Sequence, residues 1–104
     1  MTNTIYKAIA NLTNNDGLTL KKGNIVRYKT GWQVADYGVE AGTAEEATKA
    51  VEKFGGSCGV WLENGIYYVD HSFRVKTKKE ALTIGKQHNQ ISVYGWQRGN
   101  LAYC

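Results

Sequence analysis

Two histidines, two cysteines and nine carboxylates are the residues of this 104-residue chain that could do acid–base or nucleophilic chemistry. His71 and His88 fall on different predicted elements, one on a strand and one at a helix end. No motif orients either of them against Cys58 or Cys104, as a thiol–imidazole nucleophile would need. The sequence has no Gly-x-Ser-x-Gly elbow, no phosphate-binding glycine loop and no His-Glu-x-x-His zinc helix. Asp36 and Asp70 read as equivalent strand positions rather than as an acid/base pair, which would need environments that separate their pKa values. Two cysteines without Cys-x-x-Cys spacing make neither a disulfide scaffold nor a zinc site, and in a reducing compartment both are free thiols. The chain therefore reads as non-enzymatic, with no metal and no cofactor.

The stronger chemical signal is aromatic and cationic. Three Trp, seven Tyr and two Phe make 12% of the chain, and several stand beside Lys or Arg. The candidate partner-binding residues are Arg27, Tyr28, Lys29, Trp32, Trp61, Tyr67, Arg74, Trp96 and Arg98. Aromatics interleaved with cations on a sheet serve single-strand nucleic-acid binders, which stack bases and track the backbone. Trp, Tyr and Arg are equally the residues of protein–protein hot spots. A Trp- and Tyr-rich sheet face suits water poorly, so at least one of Trp32, Trp61 and Trp96 is expected to be exposed or covered by another chain.

These residues need a scaffold, and the capping and turn residues predict one. Thr43-Ala44-Glu45-Glu46 and Thr77-Lys78-Lys79-Glu80 are capping boxes. Ala47, Ala50, Val51 and Phe54 follow the first at helical spacing, and Gly55-Gly56 stops it. Ala81, Leu82, Ile84 and Gly85 follow the second, and Asn89 can take its left-handed cap; Gly85 implies close approach of that helix to a sheet. Period-two alternation and turn residues predict strands at 4–12, 18–21, 24–29, 32–40, 57–62, 66–75, 91–96 and 101–104. Lys22-Gly23 and Asn64-Gly65 read as hairpin turns. At one constant offset, Gly31 meets Gly65, Asp36 meets Asp70, Thr43 meets Thr77, and Glu46-Ala47 meets Glu80-Ala81. The expected architecture is an α+β single domain over 1–104, a mostly antiparallel sheet with two helices on one face. It is built around a tandem strand–helix–strand repeat: a β-hairpin or meander at 1–30, one copy at 31–64 and the second at 65–104.

Charge divides by segment. Residues 1–30 and 71–104 are basic, and 31–70, with Glu40, Glu45, Glu46, Glu52 and Glu63, are acidic, within a net charge of +4. Such a bipolar surface could steer a charged partner or pair two copies head-to-tail, which leaves a homodimer open. The acidic centre argues against a broad phosphate footprint. No apolar run approaches the roughly 20 residues that span a bilayer. Residues 1–13 lack the apolar core of a secretory leader, so the expected location is the cytoplasm.

Glu80, Ala81, Lys86, Asn89, Gln90, Ser92, Val93, Tyr94 and Trp96, preceded by Asn64-Gly65-Ile66-Tyr67-Tyr68-Val69-Asp70, resemble a pattern in small accessory proteins of phages and conjugative elements. Gly95 departs from the acidic residue of that pattern. The resemblance covers residues 64–96 and brings no catalytic residue with it. It implies a phage or mobile-element protein, anti-CRISPR-like, that inhibits a host defence protein or ribonucleoprotein effector inside the bacterial host. Anti-CRISPR proteins are often acidic, and this chain is not. A nucleic-acid-binding accessory protein that uses the aromatic and basic sheet face is the alternative.

Overall fold

Left-handed residues set the chain's turns. Lys22 and Gly23 have φ of 50° and 81°, and Asn64 and Gly65 have 51° and 80°. Positive φ at both central positions is the geometry of tight two-residue hairpins. The first joins β1 (Asp16–Lys21) to β2 (Asn24–Val26), and the second joins β4 (Cys58–Glu63) to β5 (Ile66–Val75). The computed structural model describes residues 3–104; Met1 and Thr2 of the predicted 1–30 region lie outside the described residues.

β3 (Trp32–Ala41), α2 (Ala44–Lys53) and β4 form one strand–helix–strand unit. β5, α3 (Lys78–Gln87) and β6 (Ser92–Gly95) form the next, and β7 (Asn100–Tyr103) closes the sheet. Each helix starts as its capping box dictates: the Thr43 hydroxyl accepts from the Glu46 amide at 3.1 Å, and Thr77 accepts from Glu80 at 3.1 Å. Gly55 and Asn89, at φ of 69° and 56°, stand at the helix ends where left-handed caps were expected.

The strand order is β2-β1-β4-β5-β3-β6-β7, and every neighbouring pair is antiparallel. β3 and β4 are therefore parallel with β5 between them, and β5 and β6 are parallel with β3 between them. The two units are split βαβ motifs, each holding the other's first strand. They share one connectivity, strand–helix–strand.

One expectation fails. Residues 4–12 are not a strand of an N-terminal hairpin: Asn3–Ala10 is a helix, α1, so the described residues hold three helices rather than two. Ile5, Ile9 and Leu12 lie at helical spacing. Ile5 and Ile9 are buried against Leu20, Val51 and Val60, with Leu12 packed beside them. Tertiary burial outweighs the local β-propensity of Thr4-Ile5-Tyr6. β2 also ends at Val26 rather than Lys29.

All three helices cover one face of the sheet. Under α1 and α2 lies the larger core, with Ala47, Val51, Cys58, Val60 and Val69 at its centre. Under α3 lies a smaller one of Val34, Ala81 and Val93. Gly85 permits this contact: a Cβ there would stand 3.3 Å from Val93 Cγ1 and 2.6 Å from Cys104 Sγ. The Cα radius of gyration is 12.9 Å. No described helix is long and apolar enough to cross a membrane.

Candidate functional site

The face without helices is where the strand register gathers polar and aromatic side chains. Opposed pairs set its rows. Gly17, Trp61, Tyr68 and Glu40 stand in one; Thr19, Gly59, Asp70 and Gly38 in the next; then Ser72 beside Ala35, and Arg74, Gln33 and Tyr94. The sheet curls around this face into an open groove of about 950 Å³, reaching from β2 to Leu101 of β7 and the loop after α3. Its floor is mostly small side chains, and its walls carry the aromatics.

At one end Trp61 leans over Gly17, where a Cβ would stand 2.7 Å from the indole ring; Trp61 remains 45% exposed. Glycine in a strand interior often marks such a close approach. At the other end Tyr28, Tyr94 and Trp96 form an aromatic corner. The Tyr28 and Trp96 rings meet edge-on at 5.4 Å, and Tyr94 and Trp96 at 5.1 Å. The corner is fixed by hydrogen bonds: Trp96 Nε1 donates to Gln33 Oε1 at 3.1 Å, and Gln33 Nε2 donates to Ser72 Oγ at 3.1 Å. The Arg74 guanidinium lies over the Tyr28 ring at 5.3 Å and donates to the Thr30 carbonyl at 2.8 Å.

Asp70 is the charged group at the middle of the floor, between Glu40 and Arg74 at the ends of the rows. It stands between Gly59 on β4 and Gly38 on β5's other neighbour, β3, and its carboxylate occupies the space a Cβ at Gly38 would fill. No side-chain hydrogen bond or ion pair reaches it among the described residues; the ion pair the structure holds is His71–Asp36. Burial raises its pKa above the ordinary 3.8.

Of the nine sequence-predicted residues, Tyr28, Trp61, Arg74 and Trp96 share this face, and Arg27 lines the groove's rim. Trp32 and Tyr67 do not join them. Their register places them on the helix-covered face, where Trp32 packs against the smaller core under Lys78 and Tyr67 against the larger one. Lys29 is exposed before β3, and Arg98 is exposed in the β6–β7 turn. Sequence reasoning missed Gln33, Asp70, Ser72 and the floor glycines. Gly38 and Gly59, inside predicted strands, are the available signal, whereas Gly17 reads as the last residue of a turn.

The nucleophile candidates come apart. Cys58 sits opposite His71 in the register on the helix side. Its thiol is buried, and that burial, with the nearby Asp70 charge, pushes its pKa up to about 12. It is a protonated core thiol at neutral pH. His71 Nδ1 bonds Asp36 Oδ1 at 2.8 Å, and its ring stacks on Tyr37 at 5.3 Å. Asp36 thus faces the helices while Asp70 faces the groove, so the two carboxylates are not a pair. His88 caps α3. No group of three His, Cys, Asp or Glu residues able to hold a metal occurs among the described residues. A comparison with known proteins found no matching family model, no matching curated protein and no matching solved structure.

Proposed function

We propose that the protein is a non-catalytic binding domain that docks a partner protein on the open face of its sheet and acts by occluding it. The observation that carries this reading is the groove itself: Trp61 at one end and the Tyr28–Tyr94–Trp96 corner at the other, over a floor with the carboxylate of Asp70 at its middle. Exposed aromatics held by neighbours contribute contact area at little entropic cost and are the usual anchors of interfaces. The Asp70 carboxylate at the middle of the floor, with Arg27 and Arg74 toward one end, favours a partner surface of mixed charge and apolar groups over a phosphate backbone. The resemblance at 64–96 supplies the biological setting: a phage or mobile-element protein acting in the host cytoplasm, anti-CRISPR-like, with a host defence protein or effector as its target.

The test compares capture of a host partner by the wild-type chain and by Trp61→Ala. The variant loses about 2 kcal/mol of affinity with little loss of fold stability. Equal capture by the two proteins overturns the assignment of this face. So does binding of a labelled single-stranded oligonucleotide that weakens steeply with salt, the behaviour of a protein that displaces counterions from phosphates.

A further inference from the structure

β3 is half an interior strand and half an edge. β6 pairs with it at Trp32 and Gln33, whereas β5 follows it as far as Ala41. Between the two halves lies a bulge at Asp36, a device that ends pairing and re-aims the chain. From Tyr37 to Glu40 the strand has a partner on one side, and all four residues are exposed. Natural edges are blunted by charged residues, proline, bulges, short length or a covering loop. This one is short, follows a bulge and carries Glu40, which selects against an arbitrary strand, yet it displays Tyr37 at 53% and Val39 at 46% exposure on the helix side.

Gly38 faces the other way. A strand added along this edge would bring the Cβ of the residue opposite Gly38 to within roughly 5 Å of the Gly38 position. The Asp70 carboxylate already lies over that glycine, with no side chain between it and the newcomer. Glu40, the next residue on the same face, is also acidic. A second copy fits poorly. A symmetric antiparallel pairing about Gly38 sets Asp36 against Glu40 and faces one Asp70 with the other, and like charges across a strand pair destabilise it.

We propose that residues 37–40 are a strand-addition site for an extended segment of a partner protein that carries Lys or Arg between two apolar residues. The cation reaches across Gly38 to Asp70, and the apolar residues pack beside Tyr37 and Val39. The backbone bonds supply affinity and the alternating side chains supply specificity. This rests on the reading of the protein as a protein-binding domain; it uses the edge beside the groove and shares Asp70 with the groove floor, so the position of the shifts, at 37–40 or at Trp61 and Trp96, tells the two apart.

The probe is the capped pentapeptide acetyl-Thr-Val-Arg-Val-Thr-amide, titrated into isotope-labelled protein and followed by NMR. Saturable shifts and slowed amide exchange are expected at residues 37–40, with the indole resonances of Trp61 and Trp96 unmoved. Replacing the peptide's arginine with neutral citrulline, or the protein's Asp70 by Asp70→Asn, weakens binding about tenfold, the usual scale of a charge-assisted bond. Asn at 70 leaves the fold intact, because among the described residues no hydrogen bond or ion pair reaches the Asp70 side chain. Four results overturn the site: no saturable shift at millimolar peptide, shifts centred on Trp61 and Trp96, equal affinity for the citrulline peptide, or concentration-dependent shifts at 37–40 without peptide, which mark a second copy as the occupant. All four leave the Trp61→Ala capture test to judge the groove independently.

Discussion

A partly buried carboxylate that no side chain pairs among the described residues, as at Asp70, is a standing cost to the fold that holds it. Desolvation raises the pKa of Asp70 above 3.8, so the native state binds its proton more tightly than the unfolded chain does. The sign follows: its contribution to stability is most favourable below the unfolded value and is lost as pH rises through the folded one. Asp70→Asn is therefore expected to stabilise the protein at neutral pH, by a few tenths to about 1 kcal/mol after solvent screening. The difference should vanish below the ordinary aspartate range, as urea melts at several pH values would show. A wild-type chain that gained stability through that window as pH rose, by way of Asp70, would contradict the burial argument. In the sequence Asp70 was legible as the counterpart of Asp36 on a strand. That the two face opposite ways was not legible, because the bulge that flips the parity of β3 leaves no mark in the residue pattern.

Among the elements, those with local chemical punctuation were readable and those defined by distant contacts were not. Both capped helices, both tight hairpins and the full extent of β5 follow from Thr, Glu, Asn and Gly at fixed spacings. The close approach implied by Gly85 also appears, against Val93. α1 was misread because its helical character resides in what Ile5 and Ile9 bury, and short helices draw their stability from such packing. The two capping boxes invite a paired measurement. Thr43→Ala and Thr77→Ala should each cost about 1 kcal/mol in a denaturant titration, since each hydroxyl satisfies one amide of equivalent geometry. A loss at one position and none at the other would show that the two helices do not depend alike on their caps.

For the whole molecule, the sequence supplied the residue types of the interaction surface but not its sidedness. Counting from Trp32, alternation places Gln33 and Ala35 on the open face, but the bulge then sends Tyr37 and Val39 to the helix side. The same parity sends Trp32 and Tyr67 into the cores while Trp61 stays exposed, so the aromatics divide between packing and display. The interleaving of the two split units reaches further than the surface. Cut in the turn at Asn64-Gly65, the chain yields one piece in which β3 has no neighbour linking it to β4, and another in which β5 is severed from β6 and β7. Each piece lacks the strand that would join its own halves, and each holds the strand the other lacks. Neither fragment should show a cooperative unfolding transition alone, whereas an equimolar mixture should recover the circular dichroism of the intact chain and lose it on dilution. A fragment that melted cooperatively by itself would mean the halves are self-sufficient. Otherwise this is a protein that could be split into two inert parts and rebuilt by their encounter.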